Sequence, residues 1–413
     1  MVTNAIKIAG PIQLYGGSVS VNADLASTLA GSGISVFGAG QVSLAADKSI
    51  QTIGGDIHLR ADTVLLGAKS LLSANSPLGV AGRVLLEGDD ITLANGTHIE
   101  ALGASGGGMV LIGGDWQGSG TMRQATRVTM SADSVIDASA TDNGNGGKVV
   151  LWSNVLNANS VTAMSGTIYA KGGPNGGNGG QVETSGAHIT STGMAIDAGA
   201  PKGVGGLWLI DPHDFEVDAG AAASISAALG TGTSVTVATN DANLNPNVGD
   251  ITVSSAIAKT AGGDANLVLR ASRRVVVAQD ISSTSGKLNV VLWSGNGANL
   301  DGGVSISGAV TTHGGHFWAG GTRTVNGTST WNGLTVGNGA ATGPASGSAN
   351  AFDFSGSVTT AGGEVLMWAG GASQTAKGGF SVGAAGLIHA GSGNVTLITP
   401  AIWGNALSVK TAI

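Results

Sequence analysis

A short phrase recurs from near one end of this chain to the other: glycine, one variable residue, then alternating apolar residues. It reads Gly55-Asp56-Ile57-His58-Leu59, Gly82-Arg83-Val84-Leu85-Leu86, Gly108-Met109-Val110-Leu111-Ile112, Gly147-Lys148-Val149-Val150-Leu151 and Gly180-Gln181-Val182-Glu183-Thr184. Later copies include Gly249-Asp250-Ile251-Thr252-Val253, Gly286-Lys287-Leu288-Asn289-Val290, Gly363-Glu364-Val365-Leu366-Met367 and Gly393-Asn394-Val395-Thr396-Leu397. Alternation of period two behind a turn glycine predicts a strand, and its return every few tens of residues predicts a solenoid. Even offsets from the glycine then face the interior. These are Val149 and Leu151 after Gly147, Leu288, Val290 and Leu292 after Gly286, Phe317 after Gly315, and Val365 and Met367 after Gly363.

Gly55, Gly82 and Gly108 lie 27 and 26 residues apart, which fits one coil per copy. The next intervals, to Gly147 and Gly180, are 39 and 33 residues, with the excess in glycine- and asparagine-rich stretches that suit loops. Coils of about 25 residues stacked roughly 4.8 Å apart predict on the order of sixteen coils and a rod on the order of 80 Å long. The expected class is all-β, a parallel β-helix with one short helical interruption. The first segment runs over 1–210 and ends at Asp211-Pro212, because proline cannot donate to a ladder. A junction over 211–232 holds an alanine-rich helix, Ala221 to Leu229, closed by Gly230. A second β-helix segment follows over 233–413.

Composition agrees with a secreted β-solenoid. The 72 glycines, 42% hydrophobic and 10% charged residues exclude a disordered chain and leave long amphipathic helices without charged wet faces. A net charge of −7 without a basic block gives no footprint for nucleic acid. No apolar run reaches the roughly 20 residues of a membrane-spanning helix. Met1 to Gly10 lack the layout of a signal peptide, so the chain reads as a fragment or mature region. The absence of cysteine removes disulfides and thiolate chemistry.

Several phrases together resemble the large exoproteins of bacterial two-partner secretion, the filamentous-haemagglutinin-like adhesins. They are Gly146-Gly147-Lys148-Val149-Val150-Leu151-Trp152, Gly176-Gly177-Asn178-Gly179-Gly180-Gln181-Val182-Glu183-Thr184-Ser185-Gly186 and Trp208-Leu209-Ile210-Asp211-Pro212. Gly232-Thr233-Ser234-Val235-Thr236-Val237 and the phrase at Gly249 follow in the same order. The resemblance implies a right-handed parallel β-helix, exported through an outer-membrane pore and displayed at the cell surface or released. The family's secretion domain carries asparagine-proline motifs, whereas the only candidate here, Asn245-Pro246-Asn247, lies mid-chain and reads as a turn. The chain is therefore expected to be shaft, with the pore engaged by a region outside it.

Candidate chemistry is sparse. Gly103-Ala104-Ser105-Gly106-Gly107 matches a nucleophile elbow but precedes a strand where that motif needs a helix. His313 and His316 point to opposite faces in an extended segment, and Asp211, His213 and Asp214 read as a turn. Glu87, Asp89 and Asp90 are the densest carboxylates, with Arg83 nearby, and would suit calcium in a lyase-like β-helix. Asn296 to Asp301 faintly matches a calcium nonapeptide without iteration. No catalytic residue, metal site or cofactor is expected.

The aromatic residues carry more. Trp152, Trp293, Trp318 and Trp368 fall at odd offsets and should point outward, a candidate ledge for sugar rings or a partner, unless a loop covers them. Trp208 sits at an even offset and should pack inside. Asn95, Asn326 and Asn394 head glycosylation sequons. The expected function is the non-enzymatic rod of a surface adhesin, attaching to glycan or protein receptors of a host or matrix. The alternatives are a carbohydrate-active β-helix and a subunit of an end-to-end filament, since solenoid ends present unpaired strand edges.

Overall fold

The computed structural model describes residues 1–191, 193–239, 249–294, 303–320, 328–338, 352–368, 380–398, 402–404 and 408–411. Two compact units make up the chain: Met1–Ile210 with Thr231–Thr233, and Asp211–Gly230 with Ser234–Ile413.

In the first unit each coil contributes a strand to three parallel ladders. The phrase forms the first ladder: Ile57–Arg60, Arg83–Glu87, Met109–Ile112, Lys148–Trp152 and Gln181–Ser185. Thr63–Leu66, Asp90–Leu93, Arg127–Met130 and Val161–Met164 form the second. Ser49–Gln51, Leu71–Ser73, His98–Glu100, Val135–Asp137, Gly166–Tyr169 and Met194–Asp197 belong to the third. The chain visits the ladders in the same order on every turn, so this is a parallel β-solenoid. Alternation sets the interior: Val84, Val110, Val149 and Val182 stand in register and are buried, as are Leu72, Ile99, Ile136, Ile168 and Ile196 of the third ladder. Each such side chain contributes about 1.5–3 kcal/mol when buried.

The phrase glycine has a reason other than turn conformation. A Cβ on Gly108, Gly147, Gly180 or Gly206 would lie 2.1, 1.9, 2.1 or 2.1 Å from the carbonyl oxygen of the phrase glycine one coil earlier. Close stacking of backbone on backbone leaves no room for a side chain.

The second unit repeats the plan. Ala265–Arg270, Leu288–Trp293, Phe317–Gly320, Val365–Trp368 and Val395–Ile398 form its phrase ladder. Arg274–Val277, Gly303–Ile306, Phe352–Phe354 and Phe380–Val382 form another, and Ile281–Ser283, Ala309–Thr311, Ser357–Thr359 and Leu387–Gly391 a third. Leu288, Val290, Phe317, Val365 and Met367 are buried inside. Its corners are tight: the Thr312 hydroxyl donates to the Gly315 carbonyl at 2.6 Å, and Thr360 does the same to Gly363. The first unit makes the same tight corner once, where the Thr52 hydroxyl donates to Gly55 at 2.6 Å, but in later coils the corner is a longer loop, closed by Gly108 N–H to Ala101, Gly147 N–H to Ala138 and Gly180 N–H to Ala170.

The strand Leu207–Asp211 ends before Pro212. The helix Ala219–Gly230 starts where the Asp218 carboxylate accepts the Ala221 N–H at 2.8 Å. It packs on Ile257–Lys259, where Ser226 Oγ accepts the Ala258 N–H, and groups with the second unit.

Candidate binding surface

The four tryptophans proposed as an exposed ledge do leave the coil interior, but they do not reach solvent as a ledge. Trp152, Trp293 and Trp318 retain only 2%, 1% and 4% of their surface, and Trp368 is half-buried. The physical reason is that each outward face carries a second apolar cluster under an excursion of the chain. Trp208 is inside as expected, its Nε1 donating to Thr184 Oγ1 at 3.0 Å.

In the first unit, Trp152 packs with Leu111, Val150 and Val155 beneath Trp116 and Met122. Its Nε1 donates to Gln124 Oε1 at 3.2 Å. The covering loop fits closely, since a Cβ on Gly114 or Gly118 would meet the Trp152 ring at 2.4 or 2.6 Å. Glu183, fully buried, accepts the Gln117 N–H at 2.8 Å and ties the loop down.

In the second unit, Trp293 and Trp318 meet edge to face at 5.1 Å and pack with Val268, Val291, Leu334 and Leu366. An antiparallel hairpin, Thr328–Trp331 with Leu334–Asn338, covers them. Its turn residues, Asn332 and Gly333, both have positive φ, 47° and 76°, the geometry that an Asn-Gly pair favours. Trp331 touches the rings of Trp318 and His316, and Asn332 donates to Glu364. Asn394 donates to the same carboxylate at 3.1 Å. These two hydrogen bonds, Asn332 first, hold the Glu364 carboxyl below its ordinary pKa.

The first unit also has an open groove of about 530 Å³. Arg83, Met109, Lys148 and Gln181, the variable residues of four successive phrases, stand in register along it. Corner-loop residues Val80, Asn145 and Asn178 form a wall. Those loops are joined by amides: Asn75 accepts the Leu102 N–H, Asn145 the Asn178 N–H and Asn178 the Val204 N–H, at 2.8 to 2.9 Å. Lys148 lies 5.6 Å from the Trp116 ring centre, a cation–π distance. Arg83 is occupied by Asp56, whose hydrogen bond and charge raise its pKa.

The carboxylates weighed for calcium are engaged elsewhere. Glu87 meets His58 at 2.6 Å and accepts the Arg123 N–H, while the Arg123 guanidinium bridges Asp89 and Asp62. Asp90 faces Arg127 at 3.9 Å. Among the described residues no group of three or more His, Asp or Glu is placed to hold a metal. Ser105 is exposed on a loop that leads into the strand Met109–Ile112. His313 has φ 53° in a turn, and His316 Nδ1 accepts the Glu364 N–H at 3.1 Å, so the two histidines serve different ends. Asp214 accepts the Gly249 and Asp250 N–H groups, as a turn residue does. Asp211 is buried, and burial pushes its pKa up to about 7 against the pull of Arg270, whose own pKa burial lowers.

Asn95 and Asn394 are exposed. Thr97 of the first sequon is buried with its hydroxyl donating to Ala94 at 2.7 Å. Asn326, Asn245 to Asn247 and Asn296 to Asp301 lie outside the described residues. Among the described residues, no helix is long and apolar enough to cross a membrane. Sequence reasoning missed Trp116, Arg123 and the hairpin. The Asn332-Gly333 pair between Trp331 and Leu334 was the one local signal for the last of these. Comparison with family models and with curated proteins finds no match.

Proposed function

We propose that this chain is shaft from a bacterial surface adhesin of the two-partner secretion type, a structural scaffold that attaches to glycans or matrix through its outward residues. The observation that supports this most is the use made of outward positions. Coil after coil they serve cross-coil pairing, as with Asp56 to Arg83, Asp264 to the Lys287 N–H, and Asn289 to the His316 N–H. The chain invests its few charges in stacking and corner closure, which suits display. A carbohydrate-active enzyme would need a convergent set of acids and bases. The described carboxylates that come nearest to one, Glu87 and Asp89, are bound to His58 and Arg123.

The test is a binding screen of the purified chain against surface glycans and matrix proteins, run beside polysaccharide depolymerisation assays. Saturable binding without depolymerisation is expected. Release of reducing ends, abolished by Glu87→Gln, would overturn the reading in favour of an enzyme.

A further inference from the structure

Beneath the hairpin of the second unit, the indole N–H groups of Trp293 and Trp318 are enclosed and find no acceptor among the described residues. An enclosed donor without an acceptor carries its full desolvation cost, so folded chains seldom leave one without a reason. Here there are two, side by side, with their rings 5.1 Å apart. Trp152 in the first unit, under its own cover, has Gln124 as acceptor.

The cover itself stands apart from the ladders. Thr328–Trp331 and Leu334–Asn338 form a separate two-stranded sheet, and an isolated hairpin of that size is marginal in water. Its tip is held by the Asn332 bond to Glu364 and by Trp331 against His316 and Trp318. The surface beneath is apolar, made by Val268, Val291 and Leu366 around the two indoles. The charged residue beside Trp293 in the ladder is Arg270, which interacts with the buried Asp211.

We infer that the hairpin is a displaceable cover and that Trp293 and Trp318 beneath it form a binding face for a neutral carbohydrate. A sugar ring offers an apolar C–H face to an indole and hydroxyl oxygens to an indole N–H, which are the two things this surface lacks when uncovered. An acidic sugar would meet the Glu364 carboxylate at the rim. The hairpin supplies Trp331 and Leu334 as substitutes for the apolar face but no acceptor for either N–H, so a ligand that supplies both competes with it.

The inference rests on the attachment reading for its ligand class, and the experiment separates the two. The chain has no cysteine, so the pair N332C and E364C introduces one disulfide that locks the hairpin tip. The pair W331A and N332A releases the tip. Titration calorimetry with cellohexaose, chitotetraose and mannohexaose is run on both, with circular dichroism as a check of the fold. The released protein is expected to bind at least one sugar tenfold or more tightly than the locked one. Reducing the disulfide should restore binding, and adding W293F with W318F, which keeps an aromatic ring at each place but removes the donors, should abolish the gain.

Equal binding of all three sugars by released and locked proteins, or binding by neither, overturns the inference. If the released variant does not fold, the crosslinked protein before and after reduction decides by the same criterion. Attachment of the unmodified chain to cells or matrix, undiminished by the lock, would leave the adhesin reading standing while this site falls.

Discussion

The two units meet the same problem, a tryptophan on the outer face of a parallel ladder, and solve it differently. In the first, the loop around Trp116 is shaped to the Trp152 ring at Gly114 and Gly118, anchored on buried Glu183, and gives the indole N–H an acceptor in Gln124. In the second, a hairpin joined to the ladder face by Asn332, Trp331 and Leu334 covers Trp293 and Trp318 without satisfying either N–H. A cover that satisfies what it buries is part of the fold. One that leaves donors unpaired stays open to competition. The difference lies in polar satisfaction, since both clusters bury comparable apolar side chains.

The largest effect is expected from removing what the first cover was built around. Trp152→Ala should destabilise the first unit by about 3–5 kcal/mol, read from the denaturant midpoint, because it empties a closely fitted site. Trp318→Ala should cost less, since two unpaired donors become one and the hairpin can settle.

Next in size is a pH effect. Asp211 holds its proton in the fold up to about 7, against an ordinary value of 3.8. The native state therefore binds the proton more tightly than the unfolded chain. The stabilisation is complete below about pH 4 and is lost as pH rises towards 7, on the order of 4 kcal/mol in all. Asp211→Asn should flatten that slope in thermal melts of the second unit.

Gln124→Ala would give Trp152 the same unpaired donor that Trp293 and Trp318 have. A cost of about 1–2 kcal/mol is expected, with faster hydrogen exchange over residues 115–124. A missing response would show that indole satisfaction does not separate the two covers.

Much of the inward register is legible in the sequence. Val149, Leu288 and Val365 are buried where period two puts them, because alternation follows from strand geometry alone. The outward side is not legible in the same way. Alternation says that Trp152 and Trp293 leave the coil interior, but what lies over them depends on where distant excursions fold back. The 39-residue interval after Gly108 holds the Trp116 loop, and nothing local to Trp152 announces it. The phrase glycine is legible as a signal but not for its cause: Gly147 and Gly180 answer to a carbonyl one coil away, not to their own φ.

The smallest effect expected concerns the latch. Glu364 is half-buried, and its depressed pKa means that its bonds to Asn332 and Asn394 contribute above its ordinary value of 4.5 and fade as pH falls through the folded value. Mild acid should thus loosen the hairpin while leaving the Trp116 loop unchanged, and Glu364→Gln should blunt that response.

Hydrogen–deuterium exchange at neutral pH compares the covers most directly, by following residues 328–338 and 115–124 in one sample. The hairpin is expected to exchange through local opening, well ahead of the ladder strands, while the Trp116 loop stays protected nearly as long as Lys148–Trp152 beneath it. Equal protection of hairpin and loop would contradict it.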